Sequence, residues 1–317
     1  MIPDRYSVII DGQRIALDAT ELPGGLTLIK DLTPLASLKQ LEKLFLPWSQ
    51  LSDLMPLAGL KRLTSLDLSK NRIIDLTPLA SLTQLKKLIL TQNQIIDLTP
   101  LSDLTQLKEL SLNENQIVDL IPLAGLHLLA FLELGGNPVT DLSPLAGLTR
   151  MVCLRLSNTQ ITDLSPLVDM TQLCDLYLDG CQIINLVPLS GLTRLRRLDL
   201  CNNHISDLTP LAGSPHLSTL YLNNNEITDL SPLAALPKLF DLFLEHNAIT
   251  DLTPLTGLSC LQRLYLKGNP CIDLTPLIHM PMLRELHIQN CPIKKRSLAA
   301  FREAHPDCYI EIRQNHR

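Results

Sequence analysis

Aromatic residues are scarce in this chain of 317 residues, at 3% of the total, so the few that are present are informative about the surface they occupy. Positive charge is not in excess either: 27 Lys and Arg against 32 Asp and Glu give a net charge of -5. That balance removes the basic footprint on which phosphate neutralisation rests, and no nucleic-acid partner is expected. No apolar run is long enough to span a bilayer, so no membrane partner is expected. The opening MIPDRYSVIIDGQRIALD carries no basic segment followed by an apolar run, which reads against a secretory signal. Eight cysteines occur without CxxC pairs or a regular disulfide spacing. They read as reduced thiols in a cytoplasm, a disulfide between neighbouring repeats or a metal being the alternatives. A phosphate loop, HExxH and GxSxG are all missing, so no cofactor and no enzymatic activity are expected.

What the chain has in abundance is periodicity. Sliding the sequence against itself by 22 residues superposes Pro34, Pro56, Pro78, Pro100, Pro122, Pro144, Pro166, Pro188, Pro210, Pro232, Pro254 and Pro276 without insertion or deletion. A fixed period of this length marks a repeat array, in which each unit contacts only its neighbours and no globular size ceiling applies. The expected organisation is one elongated repeat domain, with a β-hairpin cap and degenerate first coil over 1–30, repeats over 31–293 and a capping helix and strand over 294–317. Three regions of one repeat carry distinct physical instructions. Leu85, Leu88 and Leu90 follow LxxLxL, in which the last two alternate as a strand requires, predicting twelve parallel strands centred on Phe45, Asp67, Ile89, Ser111, Glu133, Arg155, Tyr177, Asp199, Tyr221, Phe243, Tyr265 and His287. Asn71, Asn93, Asn115, Asn137, Asn203, Asn225, Asn247 and Asn269 follow the strands, where an amide that both donates and accepts bridges one coil to the next. Ser49, Thr159, Cys181 and Cys291 take that column elsewhere, which predicts local softening. In the returning limb, Thr77 or Ser143 before proline reads as an N-cap with Pro at the first helical position, opening a single 3₁₀ or irregular turn.

The ends differ from the repeats. Tyr6 to Ile10 and Gln13 to Leu17 flank Asp11-Gly12, a hairpin signal because both turn positions need positive φ. Ser297 to Ala304 reads as an amphipathic helix capped by Ser297 and stopped before Pro306, and Tyr309 to Ile312 as a thirteenth strand. A single coil buries too little apolar surface to offset its own ordering entropy, so stability comes from stacking.

The consensus LxxLxLxxNxIxDLxPLxxL resembles a leucine-rich repeat. Its 22-residue length with Asp-Leu-x-Pro-Leu, as in Asp97-Leu98-Thr99-Pro100-Leu101, is most similar to the bacterial internalin class, and similar in length to the repeats of the regulatory subunit of eukaryotic protein phosphatase 1. The resemblance implies an α/β repeat solenoid, a horseshoe with a concave parallel sheet of 12 to 13 strands and short turns on the convex side, which binds proteins on the concave sheet. Internalins resemble secreted, wall-attached adhesins with a helical cap and an immunoglobulin-like domain. Here a hairpin opens the chain and no wall-sorting motif is read, so a cytoplasmic scaffold is the first reading and an effector or adhesin exported by a non-Sec route the second.

Function is expected where the scaffold leaves residues free. Phe45, Tyr177, Tyr221, Phe243 and Tyr265 share the exposed strand column, Phe131 lies one column over, and Trp48 and Phe240 flank the sheet. Two readings stand: rings that stack on each other and stabilise the sheet, or a ligand face, since hot spots favour Tyr and Trp. The protein-binding residues named on the second reading are Tyr177, Asp179, Asp199, Tyr221, Asp241, Phe243, Glu245, Tyr265 and His287. This acidic, aromatic patch suits a protein partner with a basic surface, taken up by a monomer. A metal at His287, Cys271 and Cys291 is disfavoured because Cys291 takes the inward asparagine column, and catalysis at Cys201 because no histidine stands where its base belongs.

Overall fold

A computed structural model describes residues 7–22, 29 and 31–312 of the chain. The chain divides into two compact units, Met1–Arg155 and Leu156–Arg317.

The first unit opens with β1 (Ser7–Ile10) and β2 (Gln13–Ala16), paired antiparallel with Ile10 opposite Gln13. Asp11 and Gly12 both adopt positive φ, at 47° and 75°, so the turn forms as its dipeptide predicts. Tyr6, residues 23–28 and Lys30 lie outside the described residues; within the degenerate coil, Ile29 and Leu32 are buried and Glu21 forms a parallel bridge to Lys43. Six parallel strands follow, β3 (Lys43–Phe45), β4 (Ser65–Asp67), β5 (Lys87–Ile89), β6 (Glu109–Ser111), β7 (Phe131–Glu133) and β8 (Cys153–Arg155). They pair in unbroken register, Leu44 to Leu66 to Leu88 to Leu110 to Leu132 to Leu154. The second unit holds seven: β9 (Asp175–Tyr177), β10 (Arg197–Asp199), β11 (Thr219–Tyr221), β12 (Asp241–Phe243), β13 (Arg263–Tyr265), β14 (Glu285–His287) and β15 (Tyr309–Glu311). The thirteenth strand in register is therefore present. The strand centres need correcting by one residue: each described strand is centred on the leucine before the expected residue, because only three residues pair before the chain turns inward.

The core is the leucine ladder. Leu76, Leu79, Leu82, Leu85, Leu88, Leu90 and Ile95 are all at most 1% exposed, and the same columns are buried along both units. The asparagine column closes each turn as its chemistry demands. Asn93 donates from Nδ2 to Leu68 O of the preceding coil and Leu90 O of its own, both at 3.0 Å, while its Oδ1 accepts from Ile73 N at 3.0 Å. The substitutes reach less. Thr159 donates to Leu156 O of its own coil at 2.7 Å, and the thiol of Cys181 donates across to the same oxygen at 3.1 Å. Each spends its one proton on that carbonyl, whereas the amide has two protons to donate and a separate oxygen to accept with.

Short 3₁₀ turns such as Thr77–Leu79 form the returning limb, as expected. Their caps were misassigned from sequence. Thr77 is already inside the turn, and the side chain that satisfies its N–H is Asp75, whose Oδ1 accepts at 2.8 Å. The same bond recurs from Thr99 N to Asp97, Ser143 N to Asp141 and Ser231 N to Asp229. A carboxylate two residues back reaches this N–H without distorting the turn, which is the geometry of an Asx turn. At the other end, α1 spans Lys295–Ala304 and begins two residues before Ser297, which makes no cap. Ser297 Oγ instead donates to Asp273 Oδ1 at 2.7 Å and accepts from Leu274 N at 2.6 Å, clasping the helix to the last repeat.

Candidate protein-binding face

The solvent side of the strands in the second unit carries the column on which the functional expectation rests. Parallel in-register pairing sets Tyr221 beside Phe243, Phe243 beside Tyr265, and Tyr265 beside His287. Neighbouring strands lie about 4.8 Å apart, so planar side chains in one column stack. The ring centroids are 4.4, 4.4 and 4.2 Å apart, with interplanar angles of 16°, 17° and 20°. A packing reason for the rings therefore exists on this face, and stacking joins three aromatics and a histidine in one ladder. Tyr177 stands apart from it, because Asp199 separates it from Tyr221; its hydroxyl accepts from Arg197 Nη1 at 3.2 Å. Phe45, Phe131 and Trp48 belong to the first unit, where Lys70 Nζ lies 4.1 Å from the centre of the Trp48 ring.

The acids divide by role. Asp241 is buried and held by Arg263 through two bonds, Nε to Oδ1 at 2.5 Å and Nη2 to Oδ2 at 2.6 Å. Its charge is consumed within the sheet. Asp199 is half-buried; burial raises its pKa above the usual carboxylate range, and its Oδ1 accepts from Cys201 N at 3.1 Å. Asp179 accepts from Asn202 Nδ2 at 2.6 Å and remains half-exposed, as does Glu245. Cys201 is pushed up by burial and then by Asp199, the opposite of what a nucleophilic thiol needs.

His287 ends the ladder in a carboxylate clamp. Its Nε2 lies 2.7 Å from Glu285 Oε1 and its Nδ1 2.7 Å from Glu311 Oε2. Glu285 also accepts from the Tyr265 hydroxyl at 3.0 Å. Hydrogen bonding to His287 holds the Glu285 carboxyl below its ordinary range, while burial and then Glu285 push Tyr265 up to about 12. The sequence reasoning missed Glu285, Glu311 and Arg197. The signals were present: Glu285 and Arg197 lie two residues before His287 and Asp199 and so share their faces, and Glu311 pairs with His287 in the thirteenth strand.

The sequence matches the family described as "Leucine rich repeat" over residues 193–249 and 215–271, and "Leucine Rich repeats (2 copies)" over 61–103, 83–125, 127–169 and 171–213. Among curated proteins, no match is found. Among solved structures, internalin InlF from Listeria monocytogenes is 30% identical, covering 92% of this chain and 86% of its own with a TM-score of 0.85. Internalin C2 from the same organism is 45% identical over 53% of this chain and 74% of its own, with a TM-score of 0.52. A plant peptide hormone receptor, RGFR1 in complex with RGF2, shares the fold at 19% identity and a TM-score of 0.72, covering 92% of this chain and 53% of its own. The chain belongs to the leucine-rich repeat family and is internalin-like. In structural neighbours this fold is a protein-interaction module. Among the described residues, no helix is long and apolar enough to cross a membrane.

Proposed function

We propose that the protein is a non-enzymatic interaction module that docks a protein partner on the strand face of its second unit, over Tyr177 to His287. The observation that supports this most directly is the division of labour on that face. Stacking fixes Tyr221, Phe243, Tyr265 and His287 as a rigid apolar rail; Glu245 follows Phe243 on it and Asp179 follows Tyr177 beside its start, both acids that no ion pair of the described residues neutralises. Pre-ordered rings lose little entropy on binding, and acids beside them attract a basic surface. The partner is thus a protein with exposed Lys or Arg, bound by a monomer in the cytoplasm through the repeat region, residues 31–293.

The likeness to Listeria internalins favours a second reading, an exported effector or adhesin that meets a host protein. Cell fractionation separates the two. The docking face is tested by the double variant Asp179→Lys, Glu245→Lys, which leaves the ring ladder in place. Capture from source-cell lysate is expected to lose its partner at an unchanged melting temperature, and capture equal to wild type refutes the face.

A further inference from the structure

Two cysteines break the repeat pattern at the same place. Cys291 stands in the asparagine column, one period after Asn269, and Cys271 stands in the buried isoleucine column, one period after Ile249. In the coil before, the backbone N–H of Ile249 donates to Asn269 Oδ1 at 3.1 Å, so this register brings the side chain at one position onto the backbone of the residue 20 places earlier. The same register directs Cys291 at Cys271. The Cys291 sulfur has taken over the amide's donation to the preceding coil, lying 3.1 Å from Leu266 O as Asn269 Nδ2 lies 2.8 Å from Leu244 O. Cys291 also lines a shallow cleft, wide open to solvent, with Asn269, Pro270, Asn290 and Pro292, while Cys271 is fully buried.

We infer that Cys291 and Cys271 form a thiol–disulfide site that reacts with a peroxide entering the cleft, with Cys291 as the attacked thiol and Cys271 as the resolving one. The Cys291 thiolate attacks one peroxide oxygen, the O–O bond breaks, and hydroxide leaves, giving a sulfenic acid. Cys271 then attacks that sulfur; an S–S bond forms, the S–O bond breaks, and the oxygen departs as water with the Cys271 proton. The two thiols lose two electrons and the peroxide becomes two waters. The electrostatics agree with these roles. The Cys271 thiol interacts with the Cys291 sulfur, which lowers the pKa of Cys291, while the same contact and then burial raise that of Cys271. The product joins the last full repeat to the coil that leads into α1, a covalent staple where the described solenoid is capped. It is independent of the docking face proposed above.

Trypsin separates the two cysteines, Cys271 falling in Gly268–Arg284 and Cys291 in Glu285–Lys294, each the only cysteine of its peptide. The full chain is treated with hydrogen peroxide, blocked with N-ethylmaleimide and mapped without reduction. The expected product is the two peptides joined at their summed mass less about 2 Da, and separated again by dithiothreitol. In Cys271→Val, which restores an aliphatic residue to its column, Cys291 is expected to stop at a sulfenic acid that dimedone traps. Cross-links that pair Cys291 or Cys271 with other thiols overturn the inference. So does wild-type protein in which Cys291 gains about 32 Da as sulfinic acid and no joined peptide appears.

Discussion

One column of the strand face is written differently in the two units. In the first it reads Phe45, Asp67, Ile89, Ser111, Glu133 and Arg155; in the second, Tyr177, Asp199, Tyr221, Phe243, Tyr265 and His287. The backbone and core beneath are the same, so the scaffold does not dictate these residues. Their neighbours in the column do. From Ser111 to Arg155 in the first unit the partners are polar: Ser111 Oγ donates to Glu133 at 2.9 Å, and Glu133 meets Arg155 at 3.1 Å. In the second they are rings in contact. A repeat protein thus holds its fold with one set of positions and varies its surface with another, and the variation has an energetics of its own.

The largest effects are expected where the units do not differ. Asn93→Ala and Asn247→Ala each leave one buried N–H, of Ile73 or Ile227, without its acceptor and remove one of two donors from each of two buried carbonyls, at a cost of about 2 kcal/mol. Urea denaturation is expected to give similar losses for both, and a clear inequality breaks the claim of a common scaffold. The column itself comes next. Phe243→Ala removes the middle ring of the ladder, expected to cost about 2 kcal/mol, whereas Ile89→Ala in the first unit forfeits only partial aliphatic burial, about 1 kcal/mol. Equal values in the same assay argue that the stack adds nothing beyond area.

Acid sharpens the comparison from the opposite limb. Hydrogen bonds from the Thr or Ser two residues on hold Asp75, Asp97, Asp163, Asp207, Asp229 and Asp251 below the ordinary carboxylate value, and Asp273 at about 2, with Ser297 adding to the last. Each pKa is lower folded than unfolded, so the stabilisation is complete above the unfolded value of 3.8 and is lost as pH falls through the folded one. Melting temperature is expected to drop between about pH 4 and 2, and Asp273→Asn to flatten part of that drop. A profile identical to wild type contradicts the clasp. Smallest in stability is the charge-reversed Asp179→Lys, Glu245→Lys protein, expected within about 0.5 kcal/mol of wild type because both acids are half-exposed.

Most of the fold was legible because period, leucine spacing and the asparagine amide each permit one solution. The cap of the 3₁₀ turns was not, since Thr before Pro satisfies the general rule for helix starts while Asp75 satisfies the local geometry better. Ser297 misled for a similar reason: a serine near a helix start caps by default, but here the last repeat offers it Asp273 and Leu274 N. Of the candidate site, the column positions were readable and the pairings were not. That Asp241 would be spent on Arg263 depends on the reach of a guanidinium across adjacent strands, which register permits without requiring. The ladder of rings was visible as one of two readings, and its geometry joins them: stacked rings that are still half-exposed.

The central claim is that the strand face of the second unit meets a protein. The direct measurement places a photo-crosslinking benzoylphenylalanine at Tyr177, outside the ladder, and in a second protein at Ile89, the corresponding column of the first unit. A protein adduct from position 177 with none from position 89 is the predicted result; an adduct from 89 alone, or none from 177 in lysate of the source cell, contradicts it.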